Sequence, residues 1–446
     1  MFPRHRLGEG LAPARHRRAS LAATLFRYAP SFLLPSPEAA EARTVRSSLD
    51  NVYLQKVSGR SHGIPGFAAA TRKDLLALTL QRMERGGYGA AFAPRTFVLP
   101  DQRDAWLRLA GPPSPSKSAE STQPAPSTWI VKPPAESCGD GIVLCSTTAE
   151  VDAAAALIGG ESQVVSEYID SPMLLHGHKF DLRLYAVVVR DAAAASSACI
   201  KPMKAYLHAE LGLARFATTE YSGSSIADVT AHLTNYSINV NSSAFVEETR
   251  GKEHEHAAYG GTAAGASPPA PGGGLDAHKW SLPRVLAALG GKGTGLMREV
   301  AGVLGKVVAA AEADVKKDSG NALPSERAVG RFELVGVDVM LDERGKPWLL
   351  EVQNRPSTDP SSDLDLEVKG GVVRDLKELL GRGEGEEAGA AWIECVWEEA
   401  AEATRWAEKD DVDDDLRLKL NRVDQQMQFE AMLLMGAMKN DGQMWN

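Results

Sequence analysis

"ELVGVDVMLDERGKPWLLEVQNRPS", residues 333 to 357, consists of two apolar runs joined by the polar turn "DERGKP". The pattern predicts a β-hairpin with Asp338 on its first strand and Glu351 on its second. A carboxylate inside an apolar strand is costly unless a cation or several donors hold it, and two on neighbouring strands repel unless positive charge lies between them. Magnesium carrying a nucleotide meets that demand, because it takes carboxylates together with phosphate oxygens. Strand alternation leaves another possibility open, that both acids face solvent.

Cations occupy similar settings elsewhere in the chain. Lys132 in "WIVKPP" and Lys179 with Arg183 in "GHKFDLRLY" are embedded in apolar strand sequence and call for anionic partners. In "KFDLRLY", period-2 alternation sets Phe180, Leu182 and Leu184 on one face and Lys179, Asp181, Arg183 and Tyr185 on the other. Gly139 and Gly141 follow Lys132 in "AESCGDGIVL", where glycines allow backbone N–H groups to approach phosphate closely; an ordinary hairpin turn also fits. The loop lacks GxxxxGK[ST] and leads into a strand, which excludes a P-loop and a dinucleotide fold. "GLARFATTEYS" contributes Arg215, and "HLTNYSIN" contributes Thr234 and Asn235 as small polar donors, with His232 read as structural.

Composition sets the limits. The 446 residues are 43% hydrophobic and form a globular chain. No run of eighteen apolar residues suggests a membrane span, and the four cysteines, scattered without metal-ligand spacing, suit a reducing compartment. Residues 382–446 hold sixteen Asp/Glu against seven Lys/Arg, enough to account for the whole net charge of -9. An acidic tail of this kind argues against nucleic acid as the main partner. The opening "MFPRHRLGEGLAPARHRRASLAATLF" is Arg-rich, consistent with a flexible basic arm or a transit peptide.

Short β-type runs, "WIVKPP", "GIVLC", "QVVSEYI", "DLRLYAVVV", "KAYLH", "FELVGVDVML" and "PWLLEV", occupy the centre. Helical periodicity marks "RKDLLALTLQRMER", "SLPRVLAAL", "GLMREVAGVLGKVVAAAEADVKK" and the stretch 391–437. Low-complexity segments near 111–128, 190–199 and 250–278 read as surface insertions. This order predicts an α+β enzyme whose sheets cradle a ligand, not a regular βαβ repeat.

On these motifs the chain resembles the tubulin tyrosine ligase-like enzymes, an ATP-grasp branch that joins amino acids to tubulin tails. "RKDLL", "WIVKPPAESCGDGI", "EYIDSP", "GHKFDLRLY", "GLARFATTEYS", "HLTNYSIN", "KW", "FELVGVDVMLDERGKPWLLEV" and "LDLEVKGGVVRDL" occur in family order over roughly residues 50 to 380. "WIVKPPA" and "GLARFATT" are most similar to the glutamylating members. The resemblance implies an ATP-grasp fold with antiparallel sheets around ATP, an arm at 1–45, a catalytic domain at 46–380 with an N-terminal α/β subdomain, and an acidic helical tail at 381–446. It implies that Lys132 and Lys179 hold ATP phosphates beside Gly139 and Gly141, and that the backbone of Ser166, Glu167, Tyr168 and Ile169 meets adenine. Asp181 would face the ribose, and Thr234 and Asn235 would complete the phosphate site. Arg183 and Arg215, with Lys179, would neutralise the acyl phosphate and bind the incoming amino acid, while Asp338, Glu351 and Gln353 would hold Mg2+.

The implied activity is ATP- and magnesium-dependent ligation of free glutamate to glutamate side chains of tubulin tails. Glycine or tyrosine ligation, or a catalytically impaired nucleotide-binding protein on microtubules, are the alternatives. Three positions depart from the family pattern: Gln353 stands where Glu-x-Asn is usual, Asp140 lies in the glycine loop, and Ser166 replaces a frequent Gln. A cytoplasmic, cytoskeletal location at microtubules, cilium or basal body follows from the resemblance, as do tubulin or microtubules as partner and no role for nucleic acid or membrane. The acidic tail would be repelled by acidic tubulin tails, so recognition falls to the core, the basic arm or a partner. Trp392, Trp397, Trp406, Leu416, Leu418 and Leu420 would dock that tail on the core or on another protein.

Overall fold

The computed structural model describes residues 56–111, 128–136, 139–192, 201–246, 275–320, 325, 328–383 and 386–421. The basic arm, nearly all of the three insertions, Cys138, Cys199 and residues 422–446 lie outside the described residues. In chain order the strands are β1 (Lys56–Val57), β2 (Arg60–His62), β3 (Thr96–Leu99), β4 (Trp129–Lys132), β5 (Val143–Cys145), β6 (Gln163–Glu167), β7 (Leu174–Leu175), β8 (His178–Arg190), β9 (Lys204–Phe216), β10 (Lys279–Ser281), β11 (Arg331–Leu341), β12 (Pro347–Asn354) and β13 (Trp392–Glu394).

Two sheets result, almost wholly antiparallel. The smaller runs β3-β6-β4-β5. Helices Arg103–Ala110 and Thr148–Ile158 cover it through a core of Trp106, Trp129, Val131, Val151 and Val165. Thr147 caps the second helix, accepting from the Glu150 N–H at 3.2 Å, and the Glu150 carboxylate accepts from the Ser146 N–H, one residue before the cap, at 2.7 Å.

The larger sheet runs β1-β2-β11-β8-β9-β10, with β12 on β11, β13 on β9 and β7 on β8. Alternation along β8 works as its sequence predicts. Phe180, Leu182 and Leu184 join the helices Lys73–Arg85, Leu282–Leu289 and Leu296–Gly320 in one core, while Tyr185, Val187 and Val189 face the helix Asp363–Gly381 in another. Both faces are thus buried over much of the sheet, which is why β11 is mostly apolar and buried continuously from Phe332 to Leu341. The "DERGKP" turn closes on the Asp342 carboxylate, which accepts from the Arg344 and Lys346 N–H groups, each at 3.0 Å. The hairpin then pairs Asp338 with Glu351 and Gly336 with Gln353.

The segment 391–437 departs from the helical reading at its start, because Trp392–Glu394 add β13 to the edge of β9 away from β8, which β10 covers only at Leu213–Arg215. The chain then crosses the Leu296–Gly320 helix through Ala400–Ala407 and packs against Lys73–Arg85, where Leu420 is 1% exposed among Leu75, Leu78 and Val98. Acidic side chains of this segment meet basic ones of the core: Asp410 and Asp413 meet Arg85, Glu408 meets Lys316 and Asp414 meets Lys317. Four of its acids are thereby paired with the core, and Trp392 and Leu420 pack into the protein's own core. Leu420→Ala is expected to cost about 2–4 kcal/mol, read as a lower denaturant midpoint at unchanged slope.

Candidate active site

Where the Asp363–Gly381 helix stops covering the larger sheet, the face of β8, β9, β11 and β12 turns charged and looks across at the smaller sheet. The cleft between them has about 1190 Å³ of empty space, open mouth included. Ile130 and Val164 of the smaller sheet and Met340 and Leu349 of the larger form an apolar slot, with Lys132, Lys179, Asp181, Asp338 and Glu351 in the same cleft. An apolar slot beside converging charges suits a ligand with a flat base at one end and anionic groups at the other.

Four charges on three adjacent strands interlock. Arg183 donates to Asp338 from Nε at 2.5 Å and from Nη2 at 2.9 Å. Arg215 donates twice to Asp181, at 2.8 and 2.5 Å, and once to Asp338, at 2.8 Å. Register explains the set, since Arg183 lies opposite both Asp338 and Leu213, and Asp181 lies opposite Arg215. Burial alone would raise the Asp338 pKa, but the two guanidinium groups hold it well below the usual carboxylate range. Burial likewise opposes charge on Arg215, and the two carboxylates more than offset it. The arginines are therefore fixed as cations beside the cleft's acids, with their forks set by bidentate pairing.

Two lysines face this network from different sheets. Burial is the main cause lowering the pKa of Lys132, partly offset by Glu351. Lys179 is 2% exposed, and burial brings it down to about 7 against the pull of Asp181. Its Nζ donates to the Tyr168 hydroxyl at 2.7 Å. The glycine loop closes the cleft: Gly139 has φ +81°, and a Cβ there would come within 2.9 Å of Asn235 Cγ and of Ile238 Cδ1. Only glycine lets this loop seat against the segment bearing Thr234 and Asn235, so the two predicted phosphate elements meet.

Residues 55–260 and 275–380 match the Tubulin-tyrosine ligase family. The chain belongs to this family. It is 31% identical to human tubulin polyglutamylase TTLL6 over 342 residues, covering 75% of this chain and 32% of that protein. It is 33% identical to human tubulin monoglutamylase TTLL4 over 324 residues, covering 71% of this chain and 23% of that protein. With mouse tubulin polyglutamylase TTLL5 it shares 32% identity over 322 residues, covering 70% of this chain and 20% of that protein. The chain spans about a third or less of the length of these relatives.

Within this tubulin-tyrosine ligase family chain, the cleft gathers Lys132, Gly139, Ser166, Glu167, Tyr168, Ile169, Lys179, Asp181, Thr234, Asn235, Asp338 and Glu351 along its lining, and Arg183 and Arg215 bind Asp181 and Asp338. Gly141, Asp140's neighbour, turns the loop at φ +72° against Pro133. The N–H groups of Glu167 and Tyr168 donate within the protein, to the Arg95 and Thr128 carbonyls, so a base at this edge meets other backbone atoms. Ser166 shares a hydrogen bond of 2.8 Å with Thr96.

A metal ion is implied by the family resemblance, and the donor set fits one. Glu351 and Gln353 lie two residues apart on β12, opposite Asp338 and Gly336, so all three side chains rise from one face. Gln353 Oε1 is buried without a hydrogen-bond partner, an orphaned oxygen that a hard cation would satisfy. No cluster of three His, Cys, Asp or Glu with ligating geometry occurs among the described residues.

Sequence reasoning missed Lys73. It starts the Lys73–Arg85 helix, donates to the Glu136 carbonyl at 2.7 Å and lies 3.3 Å from Glu351. Its place after Arg72 in "RKDLL" was the available signal. Also missed was the cluster beside Arg183, in which Asp365 receives Lys279 and Lys369, each at 3.0 Å. Among the described residues no helix is long and apolar enough to cross a membrane.

Proposed function

We propose that the chain is an ATP-dependent ligase of ATP-grasp type that adds glutamate to glutamate side chains of tubulin tails. The observation that carries this reading is the convergence of Lys132, Lys179, Asp181 and Asp338 on one cleft that also holds an apolar slot, with Arg183 and Arg215 paired to those acids, in a chain whose relatives are glutamylases. A carboxylate is a poor electrophile until one oxygen becomes a leaving group. In the first step a carboxylate oxygen of the acceptor attacks the γ-phosphorus of ATP, the bond to the β-phosphate oxygen breaks, and ADP leaves. In the second, the neutral amino group of free glutamate attacks the acyl carbon, inorganic phosphate departs with the bonding pair, and the nitrogen loses a proton to leave an amide.

The chain's own residues supply positioning and charge. Lys132 and Lys179 neutralise phosphate oxygens, and the loop at Gly139 and Gly141 brings backbone N–H groups near them. Arg183 and Arg215, held in place by Asp181 and Asp338, face the charge that develops on the transferring group and the carboxylate of the incoming amino acid. Lys279 and Lys369 add positive potential on that side, which favours a dianionic amino acid. Asp338, Glu351 and Gln353 would hold Mg2+, whose contribution when bound is to neutralise phosphate charge. On this reading the protein works at the cytoskeleton, with tubulin as its macromolecular substrate.

The test incubates the full chain with ATP, magnesium, microtubules and each of glutamate, glycine and tyrosine, then reads tubulin tail masses. Added glutamate is expected, and no added residue under any condition would sink the ligase reading. Glu351→Gln is expected to lower product by about 10²-fold or more. It should barely change the melting temperature, since Glu351 and Lys73 are 22% and 18% exposed and their pair contributes little to stability.

A further inference from the structure

Beyond the ligands assigned above, the wall of the cleft contains a chain of hydrogen bonds that begins at Lys179 and ends outside the site. Lys179 Nζ lies 2.7 Å from Tyr168 Oη, Tyr168 Oη lies 2.8 Å from His232 Nδ1, and His232 Nε2 lies 2.7 Å from the Ser225 carbonyl oxygen. The far end fixes the direction at His232. A carbonyl oxygen only accepts, so Nε2 carries the imidazole proton, and Nδ1 of the neutral ring must accept. Tyr168 then donates its proton to His232, and the phenolic oxygen is left with its lone pairs toward Lys179.

His232 is well placed to hold that arrangement. It is 2% exposed at the end of the short Val229–His232 turn of helix, whose start is capped by Asp228 accepting from the Thr230 N–H at 2.9 Å. Tyr221 packs edge-on against it with ring centroids 5.2 Å apart, and the Tyr221 hydroxyl donates to the Asp170 carbonyl at 2.8 Å. The charged groups acting on Lys179 are Asp181, Lys132 and Asp170, and its Nζ hydrogen-bonds to the neutral phenol.

We propose that His232 is a positioning residue: by accepting the Tyr168 proton it presents the Tyr168 oxygen to Lys179 and holds the Lys179 amino group on the cleft wall, where it meets phosphate oxygens of the bound nucleotide. This rests on the nucleotide reading of the cleft. Without the His232 acceptor the phenol proton turns to its other neighbour, the Tyr221 hydroxyl, and the Tyr168 lone pairs are no longer held toward Lys179. His232 touches no substrate in this scheme and acts through Tyr168.

The experiment measures binding of the β,γ-imido analogue of ATP, with magnesium, and of adenosine to the full chain by calorimetry. His232→Leu is expected to weaken the triphosphate about 10-fold and leave adenosine unchanged. Tyr168→Phe should match it, and His232→Leu should add nothing in the Tyr168→Phe background. His232→Asn, whose amide oxygen stands near the Nδ1 position, should recover most of the loss. Equal weakening of adenosine and triphosphate, or a full His232→Leu effect persisting without the Tyr168 hydroxyl, would show a wall residue only and overturn the proposal. A wild-type chain that binds neither compound would overturn the nucleotide reading itself, and this inference with it.

Discussion

Asp338→Asn is expected to abolish ligation and also to lower stability by about 3–5 kcal/mol, because it leaves two buried guanidinium groups facing a neutral amide. Arg183 and Arg215 both donate to this carboxylate, and Asp181 cannot serve both in its place, since each of its oxygens already accepts from Arg215. The expected fall in melting temperature is roughly 5–10 °C. A charge-free replacement of the whole set would behave differently, since deleting both partners of a buried pair is often neutral or stabilising. The measurement is thermal unfolding of Asp338→Asn beside Glu351→Gln. If the two variants melt together, the Asp338 pairing carries no stability and the interlocked network has been misassigned.

That contrast also marks what was legible in the sequence. Two apolar runs around "DERGKP" were sufficient for the hairpin and for the opposition of Asp338 and Glu351, because strand register follows from a short turn. Alternation in "KFDLRLY" assigned each side chain to its face for the same local reason. The partners of those side chains were not legible. Arg183 and Asp338 are 155 positions apart, Arg215 and Asp338 are 123 apart, and only the order of strands in the sheet brings them together.

Length misled the reading in one place and composition in another. β9 runs unbroken from Lys204 to Phe216, whereas "KAYLH" and "GLARF" read as separate pieces because the shift in its pairing with β8 interrupts the alternation between them. Trp392, Ile393 and Glu394 share the acidic, helix-like composition of the residues C-terminal to them, and the open edge of β9 overrides it. His232 read as structural on its frequency alone; two hydrogen bonds and its place in the cleft lining connect it to Lys179 instead. Gln353, whose extra methylene set it apart from the family pattern, has a buried oxygen without a hydrogen-bond partner, a feature sequence alone does not reveal.

Lys179→Met is expected to have opposite effects on binding and on stability. The ammonium is desolvated at 2% exposure, and burial brings its pKa down from 10.5 to about 7 in the folded protein. Below about pH 7 both folded and unfolded chains carry the charge, and the folded state bears the full cost of burying it. Between pH 7 and 10.5 the unfolded chain binds more protons than the folded one, so this group's contribution makes stability rise with pH across that window. Methionine fills nearly the same space without the charge. The variant should therefore gain about 2–4 kcal/mol at pH 6.5, with the gain shrinking steadily toward pH 10. Nucleotide affinity should fall about 10²-fold or more, since a phosphate loses a charged donor in a low-dielectric cleft. Denaturant midpoints at the two pH values, paired with calorimetric titration of the ATP analogue, test both halves. A variant destabilised at pH 6.5 would show that Lys179 is held by partners stronger than one phenol, and unchanged affinity would remove it from the phosphate site.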